Sequence, residues 1–80
     1  MFYVYVLRGA DSNHYVGYTS DLKRRLREHQ NREHRSTAYQ SWELIYYEAY
    51  QAEALARERE RKLKHHGKVY QLLIRRLSSN

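Results

Sequence analysis

The first thirty residues change their hydrophobic period once, and that change restricts the fold more than any other feature. "FYVYVL", residues 2–7, repeats every two residues, with Phe2, Val4 and Val6 on one face and Tyr3, Tyr5 and Leu7 on the other. Gly9, Asp11, Ser12 and Asn13 supply turn chemistry, and a second short strand, His14 to Tyr18, follows. The pair therefore reads as an antiparallel hairpin. From Leu22 the spacing becomes helical, as far as about Gln30. Thr19 or Ser20 reads as the N-cap, and Asp21 sits where a carboxylate favours the helix start.

The rest of the chain continues that plan. Residues 31–41, "NREHRSTAYQS", have no period and read as an exposed basic loop. "WELIYYEAY" has strand composition with mixed alternation, and a highly charged helix is expected from Ala52 to Lys64. Gly67 reads as a C-terminal glycine of that helix. A last helix, Val69 to Leu77, groups Val69, Leu72, Leu73 and Leu77 on one face. The expected class is α/β of the α+β type: a small three-stranded antiparallel sheet flanked by helices, in the order β-β-α-β-α-α. Eighty residues allow one domain, residues 1–80, with one modest core. No cysteine is available to staple it.

Charge narrows the partners. Fifteen Lys and Arg against nine Asp and Glu give a net +6, which favours nucleic acid first and an anionic membrane surface second. No apolar run is long enough to span a bilayer, and "MFYVYVL" lacks the flanks of a signal peptide, so a cytoplasmic location is expected. Nine tyrosines against one phenylalanine offer stacking faces and phosphate-binding hydroxyls, or simple strand filling.

Two helices carry polar residues on the wrong face. At about 100° per residue, Leu22 and Leu26 define the buried stripe of the first helix, and Arg25 and His29 fall inside it. Lys23, Arg24 and Arg27 face solvent. In the second helix Ala52, Leu55, Ala56 and Leu63 set the stripe, with Arg59 inside it as a structural ion-pair candidate. Glu60 lies roughly 70° from the stripe centre and Glu58 roughly 130°, so Glu60 is the carboxylate able to reach a shared pocket. A partly buried carboxylate needs a cationic side chain or a metal ion. Tyrosines, a guanidinium, an imidazole and one carboxylate suit phosphoryl chemistry better than acyl transfer, because Arg matches phosphate bidentately.

These residues resemble the GIY-YIG nuclease superfamily, and within it the short stand-alone bacterial members of UPF0213 type. "YVY", residues 3–5, stands where that family has GIY, and "YVG", residues 15–17, where it has YIG. "YTSDLKRRLREH" is similar to the helix after YIG, and "ARERERKLKHHGKVY" to the carboxylate helix. Tyr3 and Val4 depart from the family's Gly and Ile, and Asn80, at the end, is no match for the Asn some members place after the glutamate helix.

The resemblance implies roles by position. Tyr5 would line the site, Tyr15 would be the general base for the attacking water, and Arg25 would bind the scissile phosphate. His29 would assist phosphate contact or proton transfer, and Glu60 would bind one divalent metal ion, Mg or Mn. Arg24, Arg27, Arg32, Arg35, Lys64 and Lys68 would track backbone phosphates. The implied function is a metal-dependent endonuclease acting on DNA ahead of RNA, in repair or recombination, with a protein partner supplying selectivity. The alternatives are a nucleic-acid-binding module that keeps the fold without turnover and a protein-interaction domain.

Overall fold

The computed structural model describes residues 1–33, 37–38 and 40–78. Six elements follow in the expected order: β1 (Phe2–Gly9), β2 (His14–Thr19), α1 (Leu22–Gln30), β3 (Trp42–Tyr50), α2 (Glu53–His65) and α3 (Gly67–Ser78). The strands form one antiparallel sheet ordered β2-β1-β3, so the most apolar strand is central. Its two faces divide the work. Val4 and Val6 join Val16, Ala56, Leu63 and Leu73 in the core beneath α2 and α3. Tyr5 and Leu7 are buried on the other face, where α1 sends His29 against Tyr5. β1 and β3 keep register except at one bulge: Val6 pairs with Tyr46 and Leu7 with Leu44, leaving Ile45 as the extra residue. That insertion is the physical source of the mixed alternation in "WELIYYEAY".

Local chemistry refines several expectations. The N-cap of α1 is Asp21, whose Oδ1 accepts from the Arg24 N–H at 3.0 Å. Thr19 is still in the strand, its hydroxyl accepting from the Asp21 N–H. The C-cap of α1 is Asn31, and the next residue, Arg32, takes a left-handed φ of 60°. The hairpin turn likewise uses Ser12 at φ 69°. Gly67 does not cap α2 but opens α3, with no positive φ. The break falls at His66, which ends α2 and whose carbonyl accepts from the Val69 and Tyr70 N–H groups.

Three expected stripe residues are on the outside, the first being Ala52, which is the exposed N-cap of α2. Leu55 is 59 % exposed and Leu72 is 60 % exposed. The inward stripe of α2 is centred instead on Ala56, Arg59 and Leu63, and that of α3 on Val69, Tyr70, Leu73, Ile74 and Leu77. Arg59 can occupy that stripe because Glu48, paired with Val4 on the core face of the sheet, lies opposite it. Arg59 Nε and Nη2 donate to the Glu48 carboxylate at 3.0 Å each, and the Tyr46 and Tyr50 hydroxyls donate to the same group. Burial pushes the Glu48 carboxyl up, but these donors and the Arg59 charge outweigh it and hold it below the usual carboxylate range.

A strand glycine often marks a close approach, and Gly17 does so here. It pairs with Tyr5 across the hairpin, and a Cβ at Gly17 would overlap the Tyr5 hydroxyl and ring. Tyr5 cannot swing away without leaving its buried hydrogen bond. We expect Gly17→Ala to lower unfolding stability by about 1–3 kcal/mol, measured by denaturant titration.

The Glu48 cluster predicts an alkaline limit. Burial first, and then the Glu48 hydrogen bond and charge, raise Tyr50 from 10.0 to about 12, and the same causes raise Tyr46. Above pH 10 the unfolded chain therefore loses protons that the folded chain keeps, and stability falls as pH rises toward the folded value. The thermal midpoint should hold level up to about pH 10 and drop beyond it, less steeply in Tyr50→Phe.

Candidate active site

The site is built around β1 and β2, where alternate residues project to the α1 face. The register pairs Tyr5 with Gly17 and Leu7 with Tyr15, so both tyrosines stand on one side of the sheet. Their ring centroids are 6.4 Å apart. His29, one turn beyond Arg25 on α1, closes the group at 5.7 Å from the Tyr5 ring and 5.3 Å from that of Tyr15. Trp42, at the start of β3, packs edge-on to Tyr15 at 6.1 Å.

Hydrogen bonds order this aromatic cluster from behind. The Tyr5 hydroxyl is hydrogen bonded to His29 Nε2 at 2.9 Å, and His29 Nδ1 to the Thr37 hydroxyl at 2.6 Å. Tyr5, His29 and Thr37 are 0 %, 1 % and 0 % exposed. The Trp42 indole N–H donates to the Thr37 carbonyl at 2.8 Å, which ties the segment after α1 to β3. The His29 imidazole points inward, walled in by Tyr5, Tyr15 and Thr37, and not toward the open side of the site. An inward-facing His between two hydroxyls sets the Tyr5 ring and its proton, and solvent does not reach it.

Arg25, Tyr15 and Glu60 form the more accessible layer, each half-buried. Arg25 lies close enough to the Tyr5 hydroxyl to favour its anion, and Glu60 close enough to oppose it; burial dominates and the Tyr5 proton is held well above the usual range. Tyr15 feels the same groups. Burial raises it most, Lys64 and then Arg25 lower it, Glu60 raises it again, and the net direction is up. The cations alone therefore do not bring Tyr15 down toward neutrality.

Each charged group of this layer already has a partner. The Glu60 carboxylate is 3.2 Å from Lys64 Nζ, one helical turn along α2. Lys64 also lies over the Tyr15 ring, 5.8 Å from its centroid. Arg25 Nε is 3.0 Å from Glu28 Oε1, yet it is a buried nitrogen without an aligned hydrogen bond. Glu58, the other carboxylate of α2, pairs with Arg61 and Lys62 on the solvent side, as its helical angle predicts.

Among the described residues no three His, Cys, Asp or Glu side chains cluster as a metal cage. The donor set fits an ion that keeps most of its waters and takes one carboxylate, which is the habit of Mg²⁺. Of the expected phosphate-tracking residues, Arg24, Arg27, Arg32 and Lys68 are exposed, and Lys64 belongs to the Tyr15–Glu60 group. Arg35 and Asn80 lie outside the described residues. The sequence reading missed Thr37, Trp42 and the glycine constraint at Gly17. Gly17 carried a signal, a glycine within a strand; Thr37, in a segment without period, carried none.

Residues 1–71 match the GIY-YIG catalytic domain family. No curated protein matches the chain. The solution NMR structure of the UPF0213 protein BH0048 from Bacillus halodurans is similar, at 29% identity and a TM-score of 0.58, over 91% of this chain and 83% of that one. Among the described residues no helix is long and apolar enough to cross a membrane. With strand order, paired tyrosines and family match in agreement, this chain belongs to the GIY-YIG family.

Proposed function

We propose that the chain is a metal-dependent endonuclease that hydrolyses phosphodiester bonds in DNA, with repair or recombination as its setting. The family carries a nuclease-like fold. The observation that carries the proposal is the convergence of Tyr15, Arg25, Glu60 and Lys64, from three elements, in front of the buried Tyr5–His29–Thr37 chain.

Each residue has a task that its position suits. Arg25 has an unaligned buried Nε, so a phosphate oxygen would give that donor the acceptor that Glu28 does not supply. Tyr15 accepts the proton of the attacking water. Tyr5, fixed by His29, presents a rigid ring behind it and keeps bulk water out. Glu60 would hold the ion, and a divalent ion there would supply positive charge against the growing negative charge of the phosphoryl oxygens. Lys64, paired with Glu60 and lying over the Tyr15 ring, is the cation of this group that could face phosphate.

A second reading rests on the same geometry: a nucleic-acid-binding module with little turnover. The raised Tyr15 proton affinity and the Glu60–Lys64 pair favour it, because both describe a site at rest. Nicking of supercoiled and branched DNA in Mg²⁺ or Mn²⁺ separates the two. Glu60→Gln and Arg25→Ala should each cut the rate by roughly a hundredfold, with the fold intact by circular dichroism. Wild-type cleavage rates in both variants would end the enzyme reading.

The pH profile gives a second check. Tyr15 is raised above 10.0, so its base form gains about tenfold per pH unit through the neutral and mildly alkaline range. Single-turnover cleavage should rise with that slope, and Tyr15→Phe should abolish both the activity and the slope.

A further inference from the structure

One aromatic surface takes no part in the site above. Tyr3 and Tyr47 lie on the same face of the sheet as Tyr5, since Tyr5 pairs with Tyr47 across β1 and β3 and Tyr3 precedes Tyr5 by two. Their rings meet edge to face, with centroids 6.3 Å apart and planes at 61°. With Leu22, Leu26, Lys23 and Asp21 of the α1 start they line an open groove of about 390 Å³. The catalytic group uses the Arg25 side of α1; this groove uses the Leu22–Leu26 side, turned toward β3.

Four of the described tyrosines commit their hydroxyls to internal partners. Tyr46 and Tyr50 donate to Glu48, Tyr18 donates to Glu53, and Tyr5 is bonded to His29. Tyr3 and Tyr47 have no such partner among the described residues, and Tyr47 is 54 % exposed. A large aromatic face left open at the bottom of a groove, when phenylalanine is nearly absent, is a stacking surface.

The rim identifies what stacks. Lys23 lines the groove, and a second depression shares Lys23 and Leu26 with it and extends to Arg27 and Gln30. Neither Lys23 nor Arg27 is ion-paired among the described residues, whereas Arg24 and Arg25 both engage Glu28. Asp21, the acidic wall residue, is committed to the Arg24 N–H. Aromatic floor, free cations on one rim and an amide beyond them match an unpaired nucleotide: base on the tyrosines, phosphates on Lys23 and Arg27.

We infer that the Tyr3–Tyr47 groove is a subsite for an unpaired nucleobase, so that the substrate is single-stranded or carries a single-stranded branch. The inference rests on the nucleic-acid reading above and adds to it the part of the substrate that is recognised. A base in duplex is already stacked on its neighbours and cannot enter such a groove without being extruded.

Binding in a chelator, with no cleavage, tests the subsite separately from the chemistry. The probes are a labelled single-stranded oligonucleotide, its duplex, and the same strand with abasic residues, followed by fluorescence anisotropy. Tyr47→Ala should weaken single-strand binding by about tenfold and duplex binding hardly at all. Tyr47→Trp should restore it, and the abasic strand should bind wild type and Tyr47→Ala alike. Lys23→Ala should weaken all three probes and lower the salt slope.

Equal losses on single strand, duplex and abasic strand would overturn the subsite. So would unchanged binding in Tyr47→Ala, or self-association that this variant abolishes, which would make the groove an interface between copies of the chain. Cleavage with no dependence on Tyr47 would leave the nuclease reading standing and remove the subsite. Tyr47-dependent single-strand binding without cleavage would do the reverse.

Discussion

The contact on which the site depends is the Tyr5 ring laid over Gly17, with its hydroxyl bonded to the buried His29. It joins three elements at one point. β1 supplies the ring, β2 supplies a position without a side chain, and α1 supplies the imidazole. A hydroxyl and an imidazole removed from water are costly unless each has a partner, and the Tyr5–His29–Thr37 chain gives the imidazole one at each nitrogen. The cost of breaking that chain is what holds α1 in register against the sheet. Arg25, one turn before His29, inherits its position from the same bond.

The other half of the site is positioned from the opposite face. Arg59 reaches the sheet through a two-pronged contact with Glu48, and Tyr46 and Tyr50 donate to the same carboxylate. A partly buried carboxylate with four such donors is well satisfied, and its loss would strand Arg59 within the inward stripe of α2. Glu60 follows Arg59 directly. The ion pair therefore fixes the rotation of α2, and that rotation turns Glu60 and Lys64 toward Tyr15. Polar contacts replace apolar packing here because α2 has few apolar side chains to offer: Ala56 and Leu63 are buried, while Leu55 is not.

Much of this was legible in the chain, for identifiable reasons. Period and turn chemistry specify the hairpin and α1, and a helical angle is enough to separate Glu60 from Glu58. The stripes of α2 and α3 were harder. Leu55 and Leu72 look inward on a wheel drawn from leucines alone, but the wheel cannot know that Glu48 awaits Arg59 across the gap. Gly67 followed a helix and resembled its cap; the break belongs instead to His66, and the glycine begins the next helix. His29 shows the deeper limit. An imidazole on an apolar stripe announces a partner without saying whether that partner is phosphate or protein, and Thr37 lies in a segment with no period to announce it. Spacing reveals that a polar group is placed inward, whereas its partner comes from tertiary structure.

The charged layer of the site is neutralised within the chain. Arg25 rests beside Glu28 and Glu60 against Lys64, each pair contributed by a single helix. Pairs of this kind, on partly exposed side chains three or four residues apart, are worth only a few tenths of a kcal/mol, so a strong ligand can exchange them at small cost. A phosphate would offer Arg25 a fork of oxygens in place of one poorly aligned carboxylate, and a divalent cation would compete with Lys64 for Glu60. Both exchanges would be felt at Tyr15. It lies near both cations and the carboxylate, and removing the negative charge of Glu60 from its surroundings favours loss of its proton. Burial, the largest of the influences on Tyr15, thus keeps its proton in place in the resting site.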